Sequence, residues 1–280
     1  MNEAIVEKGL FLLSIFSILI FLLIIIFIIL ESFPAFQHIG ISNILFGINW
    51  APDNGFYGIL PMILGSIIVT VFALLIAIPL SIGCAIYIEE FSQNHIKTLF
   101  KPIIQTLAGI PSVVYGFFGL MVLVPISRDF FGGSGFTILV ASMVLAIMLL
   151  PTIISLSQDA INSVPSEYVE SSLALGSTHI QTIKNIILPK ASLKITTAII
   201  LAMGRAIGET LAIIMVAGNV AEIPTSILSP VRTLTSNIAL EMGYAIDIHY
   251  NSLFATAVVL FSIIMVLMII SNVIEHKWGC

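Results

Sequence analysis

Residues 10–30 read LFLLSIFSILIFLLIIIFIIL, an apolar run without a single charge. Coiled as a helix, such a run is about 30 Å long and matches the hydrocarbon core of a bilayer. Five further runs of similar character follow at roughly 63–88, 103–126, 136–157, 195–217 and 253–274. None alternates apolar with polar residues, as the strands of a transmembrane barrel do. The sequence therefore predicts an all-α integral membrane protein with six transmembrane helices. The first run is read as a retained span. It is longer than the apolar core of a secretory signal, and Glu31-Ser32-Phe33-Pro34 offers no small-residue cleavage site.

Composition agrees with this reading. Of 280 residues, 59% are hydrophobic and 9% charged, with a mean hydropathy of +1.15. Soluble domains carry roughly a quarter charged residues. So little polar surface excludes a soluble enzyme, a nucleic-acid binder and a disordered chain. The net charge of −5 is thinly spread and marks no charged partner. Cys84 and Cys280 lie far apart and form neither a metal nor a disulfide pattern.

Basic residues set the expected orientation. With the N-terminus in the cytoplasm, six spans return the C-terminus there. Lys8, Lys97, Lys101, Lys184, Lys190, Lys194 and Lys277 then lie inside, while the external loops hold Arg128 and Arg232. That is a positive-inside bias. Residues 1–60 comprise the first span and a long external loop, in which Trp50, Phe56 and Tyr57 suit an interfacial position. Residues 61–275 comprise five spans and a long cytoplasmic loop, 158–194, within one integral domain.

No source of energy is visible. The chain has no Gly-Lys dipeptide and hence no P-loop, and Gly132-Gly133-Ser134-Gly135 reads as a tight external turn. His38, His95, His179, His249 and His276 are each isolated in sequence and are read as solvated loop residues. No catalytic constellation, metal set or cofactor motif appears. The chain is either a passive conduit or a machine driven by ATP hydrolysed elsewhere.

The cytoplasmic loop is the most patterned segment. In Val164-Pro165-Ser166-Glu167-Tyr168-Val169-Glu170-Ser171-Ser172-Leu173-Ala174-Leu175-Gly176, Pro165 and Glu167 suit the first turn of a helix and Gly176 its left-handed end. Thr178-His179-Ile180-Gln181 matches a capping box opening a second helix, which Ile180, Ile183, Ile186 and Ile187 give an apolar stripe and Pro189 is expected to stop. By composition this is either a hairpin lying on the bilayer or a rigid knob shaped for a partner's groove. The spacing resembles the EAA motif of ABC importer permeases, E-A-A-x3-G-x9-I-x-L-P. Glu170, Gly176, Ile186, Leu188 and Pro189 stand at its intervals, and Ser171 and Ser172 replace the two alanines. The resemblance implies the type I ABC importer permease fold, with this loop as the element that couples to a cytoplasmic ATPase.

The fifth run holds Arg205 and Glu209, four residues apart and so on one helical face, able to pair. Intramembrane charges are costly and mark functional sites by default. One reading is packing: Gly204 and Gly208 form G-x-x-x-G, and a buried ion pair fixes the approach of another helix. The other reading gives Arg205 to an anion in the pathway, its planar fork matching a tetrahedral oxyanion, with Glu209 holding it in place. Gly109, Pro111 and Gly116 mark either an unwound, pathway-lining segment or a plain kink, and Pro151 interrupts the fourth span.

The run Gly204-Arg205-Ala206-Ile207-Gly208-Glu209-Thr210, continued by Met215-Val216-Ala217-Gly218-Asn219, is similar to the signature of high-affinity phosphate importer permeases. So are Asn49-Trp50-Ala51-Pro52, Tyr57-Gly58-Ile59-Leu60-Pro61 and Ala108-Gly109-Ile110-Pro111-Ser112-Val113-Val114-Tyr115-Gly116. The likeness covers roughly residues 45–275, and the Asn-Trp segment and Val-Ala-Gly-Asn ending look more like PstC than PstA. It implies phosphate import across the plasma membrane with a PstA-type partner permease, a PstB-type ATPase dimer and an extracytoplasmic PstS-type binding protein, in contact with membrane lipid and with no nucleic acid. On the residues alone, another oxyanion such as sulfate or molybdate, or an ATP-independent channel or ion-coupled transporter, stays open.

Overall fold

The structure, a computed structural model, describes residues 3–278; Cys280 and the side chains of His276 and Lys277 lie outside the described residues. The helices are α1 (Glu3–Ile39), α2 (Ile41–Phe46), α3 (Leu60–Ile86), α4 (Asn94–Ala108), α5 (Ser112–Phe118), α6 (Val124–Phe131), α7 (Ile138–Asn162), α8 (Ser166–Ala174), α9 (His179–Thr182), α10 (Leu188–Ile207), α11 (Leu211–Val216), α12 (Leu234–Glu241) and α13 (Asp247–Trp278). Strands β1 (Trp50–Ala51) and β2 (Phe56–Tyr57) form a small antiparallel hairpin with Trp50 opposite Tyr57. Three π-helical segments, Tyr87–Phe91, Gly119–Leu123 and Ile183–Ile187, join neighbouring helices.

Among the described residues six helical segments are long and apolar enough to cross a bilayer: Glu7–Ile39, Leu60–Phe91, Ser112–Phe131, Ile138–Asn162, His179–Ile207 and Asp247–Val273. The chain is a multi-pass membrane protein. α7 is its axis, with 67% of its most apolar window buried, against 0% for α1. α1 exposes apolar side chains on most faces, which is stable in lipid and untenable in water. It is held along α13 by aromatic pairs, Phe21 with Phe261 and Phe27 with Phe254.

Two spans differ from the sequence expectation. The third begins at Ser112, because the chain breaks at Gly109-Ile110-Pro111 and α4 stands apart as a separate helix. Pro111 lacks an N–H and disfavours helical backbone at Ile110. The Tyr115 hydroxyl donates to the Leu107 carbonyl at 2.8 Å, tying α5 back to the end of α4 across the break. The segment is thus unwound rather than kinked. Pro151, by contrast, sits buried inside an uninterrupted α7.

The fifth span runs from His179 to Ile207 instead of 195–217. Pro189 does not stop the second loop helix: it lies in the first turn of α10, and the chain passes through it. The preceding π-turn explains this, since Leu188 N–H already bonds back to Ile183 and Pro189 has no N–H needing a partner. At the other end the helix stops early. Gly208, Glu209 and Thr210 are unwound before α11 resumes.

Three buried clusters lie along the bundle. The central one includes Val69, Ala73, Met148, Leu149, Ala206 and Val216. A second, at the end carrying Lys97, Lys101, Lys184 and Lys190, includes Ile88, Ile104, Ile161, Ile183 and Ile187. The third, at the hairpin end, includes Ala35, Ile44, Ile59, Met62, Leu234 and Ala255.

Candidate functional site

The unwound triplet 208–210 separates the end of the fifth span from the short helix α11, and a charge sits at each of the two helix ends it creates. Arg205 is in the last turn of α10 and Glu209 lies just before α11. The sequence expected them to pair across a helical turn, and this is corrected: the helix ends between them. Arg205 Nη1 donates to Thr152 Oγ1 at 3.0 Å. Glu209 Oε1 accepts from Ala212 N–H at 3.1 Å, capping α11, and the Glu209 carbonyl accepts from Thr235 Oγ1 at 2.7 Å. Each charge complements the dipole of its own helix, cation at a C-terminus and anion at an N-terminus. Arg205 is exposed on the surface of this chain, and Glu209 is half-buried.

Close packing holds the break in place. A Cβ on Gly116 of α5 would meet Ala212 Cα at 2.8 Å and Met215 Sδ at 3.0 Å, so α5 and α11 approach nearly backbone to backbone. A Cβ on Gly119 would collide with Val144 and Val216. The G-x-x-x-G does not bring another helix close: a Cβ on Gly204 would meet only the Met268 methyl of α13, at an ordinary 3.6 Å, and Gly208 faces carbonyls of its own helix. Beyond α11 the chain turns through left-handed backbone at Gly218 (φ +81°) and Asn219 (φ +55°). A Cβ on Gly218 would come within 2.7 Å of Pro230 Cβ.

The lysine-rich end presents the second site. α8 ends with Gly176 at φ +89°, Ser177 N–H bonding Ser172 O and Gly176 N–H bonding Leu173 O, the two bonds of a Schellman ending. Thr178 and Gln181 form the expected capping box at the start of α9. Ser172, one of the two serines departing from the motif, is buried and hydrogen-bonds Thr182 Oγ1 at 3.0 Å, fastening α8 to α9. The Lys190 ammonium lies 4.3 Å over the Tyr168 ring, fastening α8 to α10. The result is a rigid knob with Leu175 88% and Ile180 67% exposed at its tip. Glu170, Gly176 and Pro189 are exposed, and Ile186 and Leu188 half-buried.

Comparison with known proteins places the chain in a family. Residues 77–279 match the family described as binding-protein-dependent transport system inner membrane component. The chain belongs to that family. It is 43% identical, over 84% of its own length and 78% of the other's, to a probable ABC transporter permease protein, YqgH, of Bacillus subtilis. It is 32% identical, over 94% of its length and 91% of the other's, to the phosphate transport system permease protein PstC of Haemophilus influenzae. A bacterial alginate ABC transporter, crystallised with an alginate pentasaccharide-bound periplasmic protein, shares its fold with a TM-score of 0.68 over 97% of this chain and 95% of that one, at 17% identity. The MetNI methionine ABC transporter in an inward facing conformation gives 0.55 over 76% and 90%, at 19% identity. The fold is that of the type I ABC importer permeases, as the sequence resemblance implied.

The hairpin end of this permease holds a network that sequence reading missed. Glu241, at the end of α12 and 6% exposed, accepts three hydrogen bonds, from the hairpin, from α13 and from the loop before α12. Trp50 Nε1 of the hairpin and His249 Nε2 of α13 each donate to Oε2 at 2.8 Å, and Arg232 Nη1 donates to Oε1 at 2.6 Å. Arg232 also bonds the Asn219 carbonyl and the Asn237 side chain. The described histidines are not solvated loop residues as expected: His249 belongs to this network, His179 bonds Glu90, and His38 and His95, though exposed, lie in α1 and α4. Trp50 and Glu241 are 191 residues apart, so no spacing rule reveals their contact. At its other end α12 carries Thr235, whose bond to Glu209 links the network to the break.

Proposed function

We propose that this permease is the PstC-type subunit of an ATP-driven importer that moves inorganic phosphate across the plasma membrane. The observation that carries the reading is the guanidinium of Arg205. It stands exposed beside an interrupted span, with a neutral hydroxyl near the middle of α7 as its partner. An arginine at that depth is not stable against lipid. It belongs on a surface lined by water or by a partner subunit, where its unused donors are free for a tetrahedral oxyanion. Relatives matched over most of the chain are named phosphate transport system permease proteins PstC, which favours phosphate over sulfate or molybdate.

The permease itself supplies path and coupling, and ATP hydrolysis belongs to a separate subunit. A PstA-type permease would pack beside residues 61–275, an extracytoplasmic PstS-type protein would deliver phosphate at the hairpin end, and a PstB-type ATPase dimer would receive the knob of loop 158–194 in the cytoplasm. Both termini are then cytoplasmic, with the lysine-rich end inside. Arg205 contributes a weak attractive site at the helix break, as discontinuous helices do in transporters. Glu209 fixes the local backbone rather than the arginine.

Reconstituting the importer in liposomes tests both halves. Arg205→Gln is expected to abolish phosphate uptake while all subunits still co-purify. Gly176→Asp is expected to release the ATPase from an otherwise intact permease. Parental uptake by Arg205→Gln, or a full complement of ATPase on Gly176→Asp, removes the corresponding half of the proposal.

A further inference from the structure

The second span ends in the π-helical segment Tyr87–Phe91, which neither the charge pair nor the spaced loop motif explains. Its two adjacent carboxylates point to different partners. Glu89 accepts from Gln158 Nε2 of α7 at 3.0 Å and pairs with Lys97 of α4 at 3.4 Å. Glu90 accepts from His179 Nε2 of α9 at 3.0 Å, and the Phe91 ring stands edge-on to the same imidazole at 5.3 Å. Beneath them, Ile88 shares one buried cluster with Ile183 and Ile187, which lie on the π-helical segment between α9 and α10. Two of the three π-turns in the described residues therefore meet at one place. A π-turn carries an extra residue in its ring, marks a discontinuity in the helical ladder, and concentrates at functional sites.

We propose that Glu90 and His179 form the joint through which movement of the docking loop reaches the second span, in addition to the fifth span with which the loop is continuous. This rests on the reading of loop 158–194 as the ATPase-coupling element. The α10 route alone would move the half of the break that bears Arg205. The Glu90 route moves α3, which packs along α7, so the helix bearing Thr152 is driven by the same stroke. Glu89 keeps the far side of the π-turn fastened to α4 and α7, and Glu90 leaves the near side to follow the loop. The pair is partly open to solvent, with side-chain exposures of 41% for His179 and 17% for Glu90, so it can slide without stranding a buried charge. His179 lies outside the spaced motif residues, and its role is positioning.

The test uses the complete importer in liposomes, with phosphate uptake and ATP hydrolysis measured together. His179→Ala and Glu90→Ala are expected to retain the ATPase and to keep hydrolysing ATP. Phosphate imported per ATP should fall by about threefold or more, the scale of a lost coupling contact. His179→Gln keeps a donor and Glu90→Gln an acceptor, so both should stay closer to the parent ratio. An unchanged ratio in His179→Ala overturns the proposal, and so does loss of the ATPase from that variant, which would make His179 part of the docking surface itself. If Glu90→Ala does not assemble, the His179 variants decide, because that ring is partly exposed at a helix start. Gly176→Asp separates the two levels. ATPase retained there sinks the docking reading and this inference with it. ATPase lost there, with a parental ratio in His179→Ala, sinks this inference alone.

Discussion

The two ends of the bundle handle their carboxylates differently. At the hairpin end Glu241 is buried and saturated, accepting from an indole, a guanidinium and an imidazole on three separate segments. At the lysine-rich end Glu89 and Glu90 turn to different partners, remain partly exposed and sit on a π-turn. The left-handed glycines repeat the contrast. Gly218 (φ +81°) is walled in by Pro230 and Phe136, while Gly176 (φ +89°) has nothing within 4 Å of where a Cβ would be. A buried, over-determined end holds one geometry; a looser end tolerates displacement. The difference fits an end that receives a delivered substrate and an end that is pushed.

The largest expected effect breaks the saturated hub. Glu241→Ala strands a cation and two further donors in a nearly dry site and should cost about 3–5 kcal/mol, read as a lowered unfolding temperature of the purified permease. Loss no greater than that from Glu89→Ala would erase the contrast between the ends.

Next come the glycines. Gly218→Ala adds left-handed strain of about 1–2 kcal/mol to a steric clash typically worth about 1–3 kcal/mol. Gly176→Ala should show the strain alone, about 1–2 kcal/mol. Equal destabilisation by the two, measured in parallel, would mean that the surroundings of Gly218 yield easily.

A smaller effect is expected at the break. Glu209→Ala removes the cap of α11 and should cost about 1 kcal/mol, with Glu209→Gln milder because it keeps an acceptor. The smallest is an interaction energy. Since Arg205 and Glu209 make separate contacts, the stability losses of Arg205→Gln and Glu209→Gln should add to within about 0.5 kcal/mol. The double variant should regain no phosphate uptake. Recovered uptake in the double variant would restore the ion pair that the helix break replaces.

Legibility followed the range of the interactions. The capping box at Thr178, the left-handed Gly176 and the glycine turn at 132–135 were readable because each is settled within a few residues. The pairing of Arg205 with Glu209 was misread because the four-residue rule presumes an unbroken helix, and no residue among 208–210 forbids one outright. Pro111 and Pro151 show the same limit: identical residues in apolar runs, one at a break and one inside a continuous, buried helix. What separates them is the packing around each.

Sequence alone determined that this chain spans a membrane six times, that its basic residues gather on one side, and which short motifs it carries. Those properties depend on hydrophobic length, charge and local backbone preference, all of which are additive along the chain. Tertiary structure decided where the fifth span ends, which donors Glu241 gathers and which carboxylate holds the loop 158–194. Each of these brings together residues far apart in sequence, and a buried polar group takes whatever partner the packing of helices delivers, because leaving it unpaired costs more than any local preference.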